Sequence, residues 1–283
     1  MKIGAHVGSS GGVFTAIDRA EEIGAEAIQI FNGAPQMWRR KKYKEGEIDT
    51  YTARVEESGI APAFFHGLYL VNLASQNPDL LAKSFDALVQ DMQAAQMIGA
   101  RGVIFHLGSH KGAGYEACVQ QVTEYVRRVI EAVPPDTWLI LENSAGMGGA
   151  VGSKFSELGQ IIRDAGSERV KVCLDTQHSF AAGYDVKTRA GLDAAMDEFD
   201  REIGLERLAA VHANDSKCPL AGGIDRHENI GEGHIGRDGF ANLLTHPAFA
   251  EIPFLLEVPG FEGEGPDKRN VDILKSIRAT VVQ

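Results

Sequence analysis

Residues 94–106 read AAQMIGARGVIFH: helix-forming residues, then a glycine, an apolar run and a histidine. Gly99 stands where a helix would end in a left-handed residue before the chain turns into a strand. The same order recurs in AEEIGAEAIQIF at 20–31, IIRDAGSERVKVCLD at 161–175 and REIGLERLAAVH at 201–212. The sequence therefore predicts repeated units in which a helix leads directly into a strand.

Eight apolar runs are candidate strands once KIGAHV, APAFFH, TWLILE and IPFLLE are added to these four. Apolar residues also recur at helical spacing within 84–98 and 155–162. Short apolar strands that alternate with amphipathic helices favour an α/β fold, and eight units predict a closed (β/α)8 TIM barrel. A doubly wound open sheet is the alternative. We expect a single domain over residues 1–283, with the active site at the carboxyl ends of the strands.

Composition limits the class of protein. The three cysteines are far apart and indicate neither a disulfide framework nor a zinc knuckle, which favours a reducing cytoplasm. No apolar stretch is long enough to cross a bilayer, so we expect no membrane contact. The net charge of −11 argues against a diffuse nucleic-acid binder, although bound metal ions would weaken that objection.

Six of the apolar runs end on a side chain that can bind a metal ion: His66, His106, Glu142, Asp175, His212 and Glu257. Three more candidates, His178, Asp225 and His227, follow two of these ends in loops. The strand ends are separated by about 40 residues, roughly one βα unit each, so we expect them to share one rim. A single strand-end histidine is more often a hydrogen-bonded structural residue. The complete set, imidazole and carboxylate without thiolate, indicates two or three zinc, manganese or iron ions.

The one marked basic run, RRKKYK at 39–44, follows a candidate strand and an irregular NGAPQMW segment, which places it on the same rim. Two interpretations stay open, a solvated helical turn and a set of phosphate contacts. Trp38 and Tyr69 can stack against an unstacked nucleotide or simply cap the barrel. The GEGHIG sequence at 231–236 follows polar residues rather than a strand, so we expect no dinucleotide site.

Several segments together resemble the endonuclease IV family of zinc-dependent abasic-site endonucleases. They are HGLYLVNLA, FHLGSHKG, LENSAG, CLDTQHSFAAGYD, VHANDSK, DRHENIGEGHIG and LLEVPG. The resemblance implies three zinc ions per chain, with manganese possible at one site. It implies that His66 and His106 hold one ion with Glu142, which bridges to a second ion held by Asp175, His212 and Glu257. It further implies that His178, Asp225 and His227 hold the third ion.

The activity implied by the resemblance is that of a DNA-repair hydrolase. It would cut the phosphodiester bond 5′ to an abasic site during base excision repair, leaving a 3′-hydroxyl and a 5′-deoxyribose phosphate. Glu142 and Glu257 would be the catalytic residues, with no side-chain nucleophile. The implied partner is double-stranded DNA with abasic sites, bound by one face of a monomer in the cytoplasm of a bacterial-type cell, at the nucleoid during action.

The DNA-contact residues implied by the resemblance are Gln36, Trp38, Arg39, Arg40 and Tyr69. Many family members carry arginine at the position of Gln36, so we expect Arg39 or Arg40 to substitute for it. Leu107 and Gln177 replace a common proline and cysteine without affecting the expected ligands.

Two competing functions stay open. A metal-dependent sugar isomerase or epimerase of the xylose-isomerase-like barrel type would use similar strand-end ligands but would not need His178, Asp225 and His227. A non-catalytic binder of DNA lesions would use the same face without cutting the strand.

Overall fold

The computed structural model describes residues 1–281, and ten strands are found in that part of the chain. They are β1 (Ile3–His6), β2 (Ile28–Phe31), β3 (Ala63–His66), β4 (Gly102–His106), β5 (Trp138–Glu142), β6 (Val170–Asp175), β7 (Leu208–His212), β8 (Asp215–Ser216), β9 (His227–Glu228) and β10 (Phe254–Leu256). All but β8 and β9 pair in parallel in one ring, which β1 closes by pairing with both β2 and β10. The predicted (β/α)8 barrel is confirmed, and the open sheet is excluded.

Helices follow the barrel strands and cover the outside of the ring, except for the short helix of residues 176–182, which lies at the carboxyl end of the barrel and carries His178, a residue expected in a loop. They are α1 (Thr15–Ile23), α2 (Glu47–Ser58), α3 (Pro78–Met97), α4 (Val119–Glu131), α5 (Phe155–Ala165), α6 (Thr176–Ala182), α7 (Arg189–Glu202), α8 (Gly236–Thr245) and α9 (Lys268–Val281). The helical spacing seen in the sequence falls within α5 and, except for residue 98, which caps the helix, within α3. As predicted, α5 ends at Gly166, which is left-handed with φ of 67°. Within residues 1–281, no helix combines the length and the apolar character needed to cross a bilayer.

The inside of the barrel holds its own apolar cluster, separate from the larger one between strands and helices. Its strand residues include Phe64, Ile104, Ile140, Cys173, Ala210 and Leu255. Successive side chains on a strand point to opposite faces, so the residue two positions further along points to the same face. That position is in each case one of the six strand-end ligand candidates. The barrel therefore aims all six side chains inward, above its apolar filling.

The short antiparallel pair of β8 and β9 forms a hairpin above the barrel and carries the loop with Asp225. Its first residue, Asp215, is fully buried, and its carboxylate accepts hydrogen bonds from the backbone N–H groups of residues 231, 233, 235 and 236 at 2.9–3.3 Å. A Cβ atom on Gly233 would lie 2.5 Å from Asp215 Oδ1. The backbone N–H groups of the GEGHIG segment thus bind a carboxylate of the protein itself, whereas those of a phosphate-binding loop bind a phosphate.

Candidate metal centre

Eight of the nine candidate ligands, all but Asp225, meet in three groups at the carboxyl end of the barrel. The groups are His66, His106 and Glu142; Glu142, Asp175, His212 and Glu257; and Asp175, His178 and His227. Within each group the potential ligand atoms lie within 4.8 Å of one another. Glu142 and Asp175 each belong to two groups. A carboxylate that bridges two neighbouring cations would be placed in this way.

Glu142 lies at the centre of the cluster and is fully buried. Its Oε2 lies 3.1 Å from Nε2 of His66 and 3.4 Å from Nε2 of His106. Its other oxygen, Oε1, lies 3.0 Å from Nδ1 of His212 and 3.2 Å from Nδ1 of His178. The two oxygens therefore face different groups of imidazoles, which is the geometry expected of a bridging ligand.

The third group differs in detail from the expected division of ligands. Asp175 joins His178 and His227 in the tight group, in addition to its place beside His212. Asp225 stands at the edge, with Oδ1 3.3 Å from Nε2 of His178 and 3.6 Å from Nε2 of His227. All three residues expected to form this site are thus brought together, and Asp175 approaches them from the barrel.

Hydrogen bonds fix the orientation of several imidazoles. Three donate an Nδ1–H to a backbone carbonyl: His66 to Gly67 at 2.7 Å, His178 to Asn143 at 2.9 Å and His227 to Glu257 at 3.3 Å. Because a carbonyl can only accept, the proton on Nδ1 is fixed, and Nε2 is the nitrogen that each ring would offer to a metal ion after losing any proton it carries. Nε2 of His227 is buried and has no hydrogen-bond partner among residues 1–281. This buried, unpartnered nitrogen and the oxygen and nitrogen donors around it fit a zinc-type ion.

Burial and neighbouring charges shift the pKa values of the side chains in this cluster. Burial of Glu142 opposes its ionisation, but the surrounding imidazoles, His106 first, hold its pKa well below the usual range. Burial likewise opposes protonation of His178, but Asp175 and Asp225 raise its pKa well above that of free histidine. Burial also acts against ionisation of Asp225, and the hydrogen bond from His178 lowers its pKa to about 2. The carboxylates are therefore held in the anionic form that binds cations.

Buried amides that the sequence did not single out support the carboxylates. Asn214 Nδ2 donates to Asp175 Oδ2 at 2.7 Å, while its Oδ1 accepts from the backbone N–H of Glu257 at 2.8 Å. Asn143 Oδ1 accepts from the backbone N–H of Asp175 at 2.7 Å. Each of these two asparagines lies one or two residues after a strand-end candidate ligand. That position in the sequence could have identified them as residues that support the ligands. Gln29, on β2, is a third buried amide at the centre.

The candidate DNA-contact residues lie on two loops beside this cluster. Tyr69, which follows β3, is 61% exposed and meets the ring of His66 edge-on with centroids 6.1 Å apart. Gln36 and Arg39 are exposed on the loop between β2 and α2, where Trp38 is half-buried against the apolar core. All four belong to the loops that follow β2 and β3 at the carboxyl end of the barrel, and their contact with DNA stays a prediction.

Arg40 is different, and its assignment as a DNA contact is corrected by its burial. Its side chain is only 2% exposed and pairs with Asp91 on α3, with Nη1 3.3 Å from Oδ1. Its Nη2 also donates to the backbone carbonyl of Met37 at 2.8 Å. The guanidinium fastens the loop from inside through this ion pair and this hydrogen bond. Lys41 is also engaged, in an ion pair with Glu47.

Three open cavities adjoin the centre. One of about 460 Å³ lies directly over the candidate ligands and is lined by Tyr69, His106 and Glu257 among others. A second, about 440 Å³, is lined by His106, His178 and Asp225 among others. The third, about 930 Å³, lies between the loops after β1 and β2, is lined by Lys41 and Lys44, and shares His6 and Phe31 with the first, so these two are adjacent along the rim.

Comparison with known proteins gives consistent matches along the chain. Residues 17–279 match the family described as xylose isomerase-like TIM barrel. A probable endonuclease 4 from Halothermothrix orenii is 38% identical over 276 residues, 97% of this chain and 99% of that protein. Another from Solibacter usitatus is 40% identical over 282 residues, 98% of this chain and 97% of the relative.

Solved structures agree. The crystal structure of endonuclease IV from Thermus thermophilus matches with a TM-score of 0.88 and 33% identity, covering 99% of this chain and 100% of that chain. A D-tagatose 3-epimerase-like protein matches with a TM-score of 0.76 but 17% identity, over 100% of this chain and 98% of that chain, and shares the fold alone. With relatives at about 40% identity over the whole barrel, the chain belongs to the endonuclease IV family, within the xylose isomerase-like TIM barrels.

Proposed function

We propose that this chain is a zinc-dependent DNA-repair endonuclease that hydrolyses the phosphodiester bond 5′ to an abasic site. The products would be a 3′-hydroxyl and a 5′-deoxyribose phosphate. The observation that carries the proposal is the set of three ligand groups joined by Glu142 and Asp175 on an open rim. Relatives named endonuclease 4 that cover the whole chain support the same activity.

The proposed ligand sets follow the three groups. His66, His106 and Glu142 would hold one ion; Glu142, Asp175, His212 and Glu257 a second; and His178, His227 and Asp225 the third, with Asp175 close by. We propose zinc at all three, with manganese as the alternative at one. Ions bound there would supply a lowered pKa for water and electrostatic stabilisation of charge on the attacking and leaving oxygens.

The chain's own residues would orient the reactants. Glu142 and Glu257 both lie beside His212, whose Nδ1 is 3.0 Å from Glu142 Oε1 and 3.2 Å from Glu257 Oε2. Their oxygens can accept hydrogen bonds from an incoming water and direct its oxygen toward the phosphorus atom. Tyr69, exposed beside the cavity, would contact the nucleotide at the lesion. Gln36, Trp38 and Arg39 would contact the DNA from the neighbouring loop.

The proposed partner is double-stranded DNA that contains abasic sites. The exposed lysines and Arg39 of the 39–44 segment offer positive charge for its phosphates in a chain whose net charge is −11. We further propose that residues 1–283 act as one domain and as a monomer that presents only the rim to DNA. Its place of action would be the cytoplasm, at the nucleoid.

An incision assay tests the proposal. A duplex with one tetrahydrofuran abasic analogue is incubated with the zinc-loaded chain and resolved on a denaturing gel, with an undamaged duplex as control. We expect a single cut on the 5′ side of the analogue. Binding of the damaged duplex without a cut would contradict the proposed activity and would support a non-catalytic lesion-binding protein.

Metal content separates the proposal from the sugar isomerase alternative. An isomerase would not need the group of His178, Asp225 and His227. Protein purified without chelator should contain about three zinc ions per chain, one for each ligand set. One or two ions would favour the isomerase, whose fold is shared by the solved epimerases at 17% identity or less.

A further inference from the structure

Gln29 lies inside the barrel on a strand that contributes no ligand. It is fully buried, and β2 pairs with β1 in a register that places it opposite His6. A buried amide is costly unless its donors and acceptor are hydrogen-bonded. The hydrogen-bond partners of the Gln29 amide therefore indicate the role of this side chain.

The amide of Gln29 is fully used by three side chains of the centre. Its Oε1 accepts from Nε2–H of His212 at 2.8 Å. Its Nε2 donates to Oε1 of Glu257 at 2.5 Å and to Nδ1 of His6 at 2.9 Å. Two of these partners, His212 and Glu257, are candidate ligands of the same ion.

These bonds determine which atoms remain for the metal. Because Oε1 of Gln29 can only accept, the proton of His212 is held on Nε2, and the Nδ1 lone pair points to the ligand group. Because Oε1 of Glu257 is occupied, Oε2 is the oxygen that lies 3.2 Å from Nδ1 of His212. A single amide thus sets the tautomer of one ligand and the rotation of the other.

We propose that Gln29 is a positioning residue for the ion held by Glu142, Asp175, His212 and Glu257. The inference rests on the proposed metal centre and extends it to β2. The loss of such a supporting hydrogen bond typically weakens metal binding by about 10- to 100-fold. His66 and His106, and the group of His178 and His227, do not bond to Gln29, so their ions should be retained.

The test compares Gln29→Met, which keeps length without hydrogen bonds, with the parent chain. Ile30→Val is the matched control, because Ile30 is equally buried on the same strand but belongs to the outer apolar cluster. Each zinc-loaded protein is dialysed against graded chelator and its zinc is counted. We expect Gln29→Met to release one ion at about 10- to 100-fold lower chelator than the parent, with the other two unchanged. Identical release curves, or equal loss of all three ions, would overturn the proposal.

A second measurement on the unsubstituted holoprotein does not depend on how the variant folds. Imidazole ¹⁵N chemical shifts of the zinc-loaded chain should show His212 with its proton on Nε2 and Nδ1 bound to zinc. Zinc bound at Nε2 would overturn the proposal. Neither readout uses incision, so a chain that behaves as expected here yet cuts no abasic DNA would refute the proposed function alone.

Discussion

The guanidinium of Arg40 pairs with the carboxylate of Asp91 inside the protein, with side chains that are 2% and 0% exposed. Arg40 belongs to the loop after β2 and Asp91 to α3, so the pair ties a rim loop to the outer layer of the barrel. Burial raises the pKa of Asp91 to about 6, against the opposing effects of Arg40 and Asn32. Removal of one partner would leave a buried charge.

We therefore expect Arg40→Met to lower the free energy of unfolding by about 3–5 kcal/mol, as for other broken buried pairs. The double variant Arg40→Met with Asp91→Leu should recover most of this loss, because no charge is then left unpaired. Denaturant unfolding of the zinc-loaded proteins measures both. Arg39→Ala is the control, since an exposed substitution typically changes stability by about 0.5 kcal/mol or less. A loss from Arg40→Met no larger than the control would contradict the internal role.

Arg39 and Tyr69 should affect DNA binding in different ways. Arg39→Ala should reduce the slope of log affinity against log salt by about 1, for damaged and undamaged duplexes alike. Tyr69→Ala should weaken binding to the abasic duplex by about 5- to 150-fold, the range for a lost stacking contact, and leave undamaged DNA nearly unaffected. Fluorescence anisotropy in a Glu142→Gln background, where cutting is suppressed, measures both. Equal losses for Tyr69→Ala on the two duplexes would contradict a lesion contact.

Glu142→Gln should abolish incision far more than it weakens DNA binding. The replacement keeps the shape of the side chain but removes the charge that offsets two cations, while the rim loops stay in place. We expect kcat to fall by at least about 100-fold, comparable with the larger effects of disturbed metal ligation. Single-turnover incision and anisotropy provide the two readouts. Equal losses in both would mean that Glu142 does not bridge.

Removal of the metal should destabilise the fold. Four carboxylates, those of Glu142, Asp175, Asp225 and Glu257, are then left facing one another with only protonated imidazoles to offset them. A ligand at 1,000 times its Kd stabilises a protein by about 4 kcal/mol, so chelation should lower Tm by several degrees. Calorimetry before and after addition of excess EDTA, and after zinc is restored, tests this. An unchanged Tm would indicate that the centre does not hold its ions tightly.

Glu26 lies on the opposite side of the barrel, and we expect its ionisation to make the stability of the fold depend on pH. Burial raises its pKa, but the paired hydrogen bonds from Arg278 at 2.7 and 2.9 Å and one from the backbone of Ile3 bring it from 4.5 to about 2. The folded state therefore favours the ionised form. The stability it contributes is complete above pH 4.5 and is lost as the pH falls toward about 2.

The measurable consequence is a comparison with Glu26→Gln. The parent should be more stable at neutral pH by about 1 kcal/mol, a value reduced because the pair is partly exposed to solvent. That difference should shrink as the pH falls below 4.5. Denaturant titrations of the metal-free proteins at several pH values provide the data. A difference that does not vary with pH would contradict the assignment.

The sequence predicted the barrel and its rim because both depend on local regularities. Each strand is an apolar run, and side-chain alternation along it fixes which terminal residue points inward. Arg40 could not be separated from Arg39 in this way, because nothing in the 39–44 segment reveals the carboxylate of Asp91 about 50 residues later. Gln29 was missed for a related reason: within IQIF it reads as one polar residue in an apolar strand, and its meaning comes only from barrel closure.

The hairpin of β8 and β9 makes the centre modular. The six candidate ligands at the strand ends are held by the same ring closure that forms the fold, so none can move without the barrel. Asp225 and His227 instead lie on the short hairpin of β8 and β9. This hairpin is held by the buried carboxylate of Asp215, which binds backbone N–H groups of the segment that follows. A barrel of this architecture could therefore gain, lose or exchange the proposed outer ion through changes in one loop, while the two inner groups of candidate ligands and the scaffold stay the same.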